Sequence, residues 1–181
     1  MRTIGKWGTK MNLKYKKVCI REATVVDAEQ LCTWWNDGQV MEHAGFPNGL
    51  GTTPEIIAKQ IAEKTGRHMI VYDNIPIGEM NYMDQGNEIC EIGIKICNTD
   101  MQNHGIGKVV LSLFIESLFN ELNYKKIILD TNLENKRAQH VYEQLGFKRV
   151  RINVDSWKDQ LGNLKSSVDY ELIKEDFVSY L

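Results

Sequence analysis

The 181-residue chain predicts an α/β fold, with a mixed, mainly antiparallel sheet of six to seven strands flanked by about four helices. Three observations predict it. Short segments such as KVCIREA (17–23) alternate apolar and polar residues, the period of a strand. The stretch 105–122 repeats Ile106, Val110, Leu113, Phe114 and Leu118 at helical spacing. Asn, Asp, Gly and Pro clusters separate the two kinds of segment, giving the order β-α-α-β-β-β-α-β-α-β-β.

The elements follow in order. After the strand at 17–23, Thr24 as N-cap and Asp27 in the first turn open a helix over 25–36, which Asn36-Asp37-Gly38 stops. The loop HAGFPNGLG (43–51) leads to Thr53 and Pro54, the cap and first residue of a second helix at 54–65. Strands at 68–73, 76–83 and 88–97 form a meander with tight turns. The helix at 105–122 follows; Val109, Leu111, Ile115 and Phe119 widen its apolar face, so it is covered on most sides. A strand at 125–131 precedes a short helix at 135–145 that ends at Gly146. Strands at 147–156 and 164–173 close the fold.

Length and composition predict one domain over 17–181, with 43% hydrophobic and 25% charged residues. The first 17 residues carry Arg2, Lys6, Lys10, Lys14, Lys16 and Lys17 without an acid, and residues 1–16 are expected to be a basic, flexible tail. Met11 could serve as the biological start. A net charge of -2 gives no general attraction to nucleic acid or anionic membranes. No apolar run approaches the roughly 20 residues of a membrane span. Cys19, Cys32, Cys90 and Cys97 form no C-x-x-C pair and lie in apolar-patterned segments, as small hydrophobes of a reducing cytoplasm do. No His cluster has metal-ligand spacing, so no metal is expected.

The stretch QNHGIG (102–107) joins a strand to the long helix. The first amides of a helix lack intrahelical partners, and the dipole places partial positive charge there, so such a junction suits an anion. Two phosphate motifs fail: Gln102 and Val109 break the Walker pattern, and Val110 stands where the dinucleotide pattern needs a third glycine. What remains is Q-x-x-G-x-G. About thirty residues later comes N-x-x-A-x-x-x-Y-x-x-x-G-F, carried by Asn135, Ala138, Tyr142, Gly146 and Phe147. The two motifs, in this order and spacing, resemble the GNAT N-acetyltransferase family. The resemblance covers roughly residues 17–175. WWNDGQVMEHAGF and EIGIK look most like its ribosomal-protein alanine acetyltransferase and aminoglycoside acetyltransferase-like branch.

The resemblance implies acetyl-CoA as acyl donor, with its pyrophosphate on Gln102, Asn103, His104, Gly105, Ile106, Gly107 and Lys108. It places the pantetheine arm along Ile94, Lys95 and Ile96, in contact with Asn135, and makes Tyr142 the proton donor to the departing thiolate. His104 departs from a slot that is usually basic or glycine. The implied chemistry is direct attack by a primary amine. The acceptor is a protein N-terminus or a small amine such as a polyamine, amino sugar or aminoglycoside. A lysine-like amine is neutral only about once in 2,500 at pH 7, a cost of about 4.6 kcal/mol, against about 1 kcal/mol for an α-amine. Glu79, Glu88 and Glu91 are candidate bases, with Glu91 favoured beside the thioester site. Trp34, Trp35, Glu42, His43 and Phe46, with Asp37 and Trp157, are the candidate acceptor contacts, since aromatic faces and carboxylates suit a cationic amine. No His or acid stands at motif spacing from Cys90 or Cys97 to support a covalent route. The alternative function is a non-catalytic acetyl-CoA-binding sensor or partner module. The closing strands could pair with a second copy, which leaves monomer and homodimer both open.

Overall fold

The structure is a computed structural model that describes residues 11–63, 66–102 and 104–181. Eight strands form one open sheet in the order β1-β2-β3-β4-β5-β6-β8-β7. They are β1 (Asn12–Tyr15), β2 (Val18–Glu22), β3 (Arg67–Tyr72), β4 (Ile75–Gly86), β5 (Ile89–Ile96), β6 (Lys126–Asn132), β7 (Lys148–Lys158) and β8 (Leu164–Ile173). Every neighbouring pair is antiparallel except β5 and β6. The helices are α1 (Ala28–Trp35), α2 (Gly38–Met41), α3 (Pro54–Ala62), α4 (Ile106–Asn120) and α5 (Lys136–Gln144).

The predicted architecture therefore holds, with one strand added. Asn12–Tyr15 pairs with Val18–Arg21 as a hairpin, inside the stretch read as a tail. Leu13 packs on the main core, and Lys14 and Lys16 do not prevent that, since lysines on an edge strand face water. Residues 1–10 lie outside the described residues.

Local chemistry sets the helix starts. Thr24 and Asp27 form a capping box. The Thr53 hydroxyl accepts from the Ile56 amide, with Pro54 at the first position of α3. The Asp37 carboxylate accepts from the Gln39 amide and starts the unpredicted α2. Alternation divides the core between the two sheet faces. Ile20, Ile70, Met80, Ile92, Ile127 and Tyr170 point to the face covered by α4 and α5. Met69 and Cys97 point to the other, where Leu31, Trp34 and Trp35 of α1 meet Ile57 and Ile61 of α3. α4 buries Val110, Phe114, Ile115, Leu118 and Phe119, covered on most sides as its pattern predicts.

Candidate active site

β5 and β6 pair only over Ile89–Glu91 and Lys126–Ile128. Beyond those three registers they diverge, and a cleft of about 1330 Å³ opens between them. Ile92 to Ile96 line one wall and Asp130 to Asn132 the other. The N-terminus of α4 closes one end, with Gly105, Gly107 and Lys108 in the lining.

Gly105 is the N-cap of α4 at φ 74, a left-handed conformation that glycine adopts without strain, and no side chain caps the helix. A Cβ added at Gly105 or Gly107 would meet nothing within 4 Å, so the backbone there faces open space. Lys108, Lys136, Arg137 and His140 line the same cleft. Free helix amides, an open backbone and nearby cations make an anion cradle of the right kind for a diphosphate. Ile106 turns its side chain into the core, and His104 is exposed outside the lining. Asn103 lies outside the described residues. The Gln102 side chain is already engaged. Its Nε2 donates to the Ile96 carbonyl at 2.8 Å and its Oε1 accepts from Arg137 at 2.5 Å, bracing the end of β5 against α5. The Asn135 Oδ1 caps α5 by accepting from the Ala138 amide at 3.1 Å.

Tyr142 projects from α5 into the cleft lining, its ring packed on Phe147 and Tyr170 at 5.8 Å from each. Burial, then the nearby Asp130 carboxylate, pushes its pKa well above that of a free tyrosine. Asp130 is the group that sequence reasoning passed over. It lines the cleft on β6, directly opposite Asp169 on β8. Desolvation by the cleft walls, then the charge of Asp169, raises its pKa. Asp169 is held by Arg151 and Asn153, whereas the Asp130 carboxylate has only its own backbone amide as a donor and no described side chain bonded to it. The signal available in sequence was an acid in KIILDT; the structure places it two residues beyond Ile128, the last register at which the strands pair.

The other candidate bases lie elsewhere. Glu91 sits where β5 and β6 are still paired, and its carboxylate accepts from Gln85 at 2.7 Å, outside the cleft. Glu88 pairs with Lys125 on the surface. Glu79 is buried and serves Trp35 Nε1 at 2.6 Å, Arg67, and Lys95 at 3.6 Å.

The acceptor contacts also divide. His43 and Trp157 line the cleft with Gln39, Val40 and Ala44. Trp34 and Trp35 do not, because α1 turns both into the second core; Phe46 packs partly buried on that core, and Glu42 is exposed outside the lining. The tip of the β7–β8 hairpin bridges to the loop after α2. Gln160 donates through its amide to the Gly45 carbonyl at 2.7 Å and through Nε2 to Gly49 at 3.0 Å, and accepts from the Asn48 amide at 3.0 Å. Trp157 lies so close to Gly45 that a Cβ there would come within 2.5 Å of its ring. No Cys is in a disulfide, and burial pushes the Cys97 thiol up to about 12, which denies it a thiolate at neutral pH. Among the described residues no cluster of His, Cys, Asp and Glu could hold a metal ion. No described helix is long and apolar enough to cross a membrane.

A helix N-terminus opening onto two parted strands, with a buried tyrosine and an acid beside the gap, is an arrangement that can receive a diphosphate-bearing ligand. Residues 17–148 match the family profile described as acetyltransferase (GNAT) domain, and the chain belongs to that family. It is an N-acetyltransferase with acetyl-CoA as its acyl donor. Solved structures share the fold. A GNAT-family acetyltransferase from Bacillus anthracis superposes with TM-score 0.78 at 20% identity, covering 91% of this chain and 99% of its own. The spermidine N-acetyltransferase from Vibrio cholerae, in complex with CoA and spermine, gives 0.77 at 18% identity over 88% and 97%. The ribosomal-protein-S5-alanine acetyltransferase from Vibrio fischeri gives 0.72 at 16% identity over 93% and 99%.

Proposed function

We propose that this chain moves an acetyl group from acetyl-CoA to a primary amine by direct attack, with Asp130 as proton acceptor and Tyr142 beside the leaving sulfur. The observation that carries the reading is that Asp130, Tyr142 and the open N-terminus of α4 line one cleft. The Gly105–Lys108 backbone holds the pyrophosphate, with Lys136 and Arg137 near the phosphates. The exposed backbone of Ile94, Lys95 and Ile96 takes the pantetheine arm as an added strand, and Gln102 braces that edge from behind.

The amine enters on the side of His43 and Trp157. Its nitrogen bonds to the thioester carbonyl carbon, the carbon–sulfur bond breaks, and the proton lost from nitrogen goes to Asp130. A raised pKa makes Asp130 a better base than an ordinary aspartate. The same reasoning limits Tyr142. With its pKa above that of a thiol, the hydroxyl is a poor full proton donor, so it supports the thiolate through a hydrogen bond. The reading places the work in the cytoplasm, with the buried or half-buried cysteines serving as small hydrophobes.

The test is calorimetric titration with acetyl-CoA, followed by coenzyme A release with a panel of primary amines. Saturable binding and amine-dependent release are expected. Binding without release on any amine would favour a sensor module.

A further inference from the structure

The amine-side mouth of the cleft carries a cation on one wall and a carboxylate on the other. Lys95 lies two residues after Gly93 on β5, on the sheet face it shares with Glu79, its register partner. The buried Glu79 carboxylate serves two cations, Arg67 and Lys95, so the cluster keeps a net positive charge. Arg67 and Trp35 Nε1 take its closest contacts, and Lys95 Nζ stands off at 3.6 Å. Among the described residues, Lys95 Nζ donates one hydrogen bond, to the Met41 sulfur at 3.1 Å, a weak acceptor. An ammonium with three donors, a quarter exposed and lining a cleft, is suited to a further anionic partner. Asp130 faces the same cleft from β6, with no described side chain bonded to it. Glu134, the other acid in the lining, is neutralised by Lys165 at 2.9 Å.

We infer that the acceptor is an amino carboxylate, a free amino acid or a short peptide with a free C-terminus, whose amine meets Asp130 and whose carboxylate meets Lys95. The inference rests on the transferase function proposed above. A polyamine would bring a second ammonium toward Lys95 and Arg67, where like charges repel. An amidated acceptor would leave Lys95 without the charge-assisted bond.

The experiment compares coenzyme A release for matched pairs: alanine with alaninamide, and di- and tripeptides with free or amidated C-termini, with spermidine alongside. The wild-type kcat/KM is expected to favour at least one acid over its amide by about tenfold or more. The amide's less basic amine supplies more of the neutral form, so this preference runs against ionisation. Lys95→Met should collapse the acid-to-amide ratio toward one, and Lys95→Arg should retain it. Amides or spermidine turned over as well as every acid overturn the inference alone. No release from any acceptor, with acetyl-CoA bound, overturns it together with the proposed transferase function.

Discussion

Replacing Glu79 by Gln removes one charge from a buried cluster that holds three. Glutamine keeps the shape and an oxygen for Trp35 Nε1, but Arg67 and Lys95 are left without a counter-charge. The Glu79 side chain is 6% exposed, Arg67 22% and Lys95 27%. Removing one partner of a buried ion pair costs about 3–5 kcal/mol, because an uncompensated charge stays behind. Arg67 and Lys95 both reach some water, so the lower end applies, about 3 kcal/mol. For a domain of this size that is a fall in Tm of roughly 6–12 °C. Urea unfolding and calorimetry of Glu79→Gln measure it. Pairing the change with Lys95→Met should be less than additive, since the second substitution removes one of the two stranded charges. A loss below about 1 kcal/mol would refute the reasoning and reduce the cluster to an ordinary surface pair.

Three further outcomes are expected. Asp130→Asn should lower kcat by about 10²–10⁴ and raise Tm at pH 7, because a carboxyl whose pKa is raised on folding disfavours the ionised native state; kcat and Tm unchanged from wild type would remove Asp130 from the mechanism. Tyr142→Phe should cut kcat by about tenfold to a hundredfold with the acetyl-CoA Kd unaltered, and a Kd that weakens in step would make the hydroxyl a binding group. His68 is buried against Tyr82 and Phe114, and burial lowers its pKa to about 4. Its neutral form is the native one, so its contribution is present above the unfolded value of 6.5 and is lost as pH falls toward 4, about 3 kcal/mol in all. His68→Phe should flatten that part of the stability profile, read by urea melts between pH 7 and 4.

Much of this arrangement was legible in the residues. The caps at Thr24 and Thr53, the apolar period of α4 and the two glycine-bearing motifs are local signals, and they located the helices and the anion cradle. The strand at Asn12–Tyr15 was hidden by Lys14 and the flanking Lys16 and Lys17, whose charge outweighed the alternation of Leu13 and Tyr15. The choice among carboxylates depends on the register at which β5 leaves β6, a property of two segments over thirty residues apart. That register leaves Glu91 in the paired part and opens the cleft at Asp130. Trp34 and Trp35 read as ligand-facing aromatics, yet only the packing of α1 on α3 reveals which side they turn to.

The tie between Gln160 and the loop at Gly45–Gly49, 112 positions away at Asn48, spans the two halves of a sheet whose central strands β5 and β6 pair over three registers. The aperture beside His43 and Trp157, where the proposed acceptor would enter, is therefore bordered by a surface hairpin as well as by the cleft's own strands. Adding or deleting a residue at 159–163 would resize that aperture while leaving the donor cradle intact. Substrate range can thus drift in evolution by hairpin-length change alone, at little expense to folding, since such tips tolerate insertion.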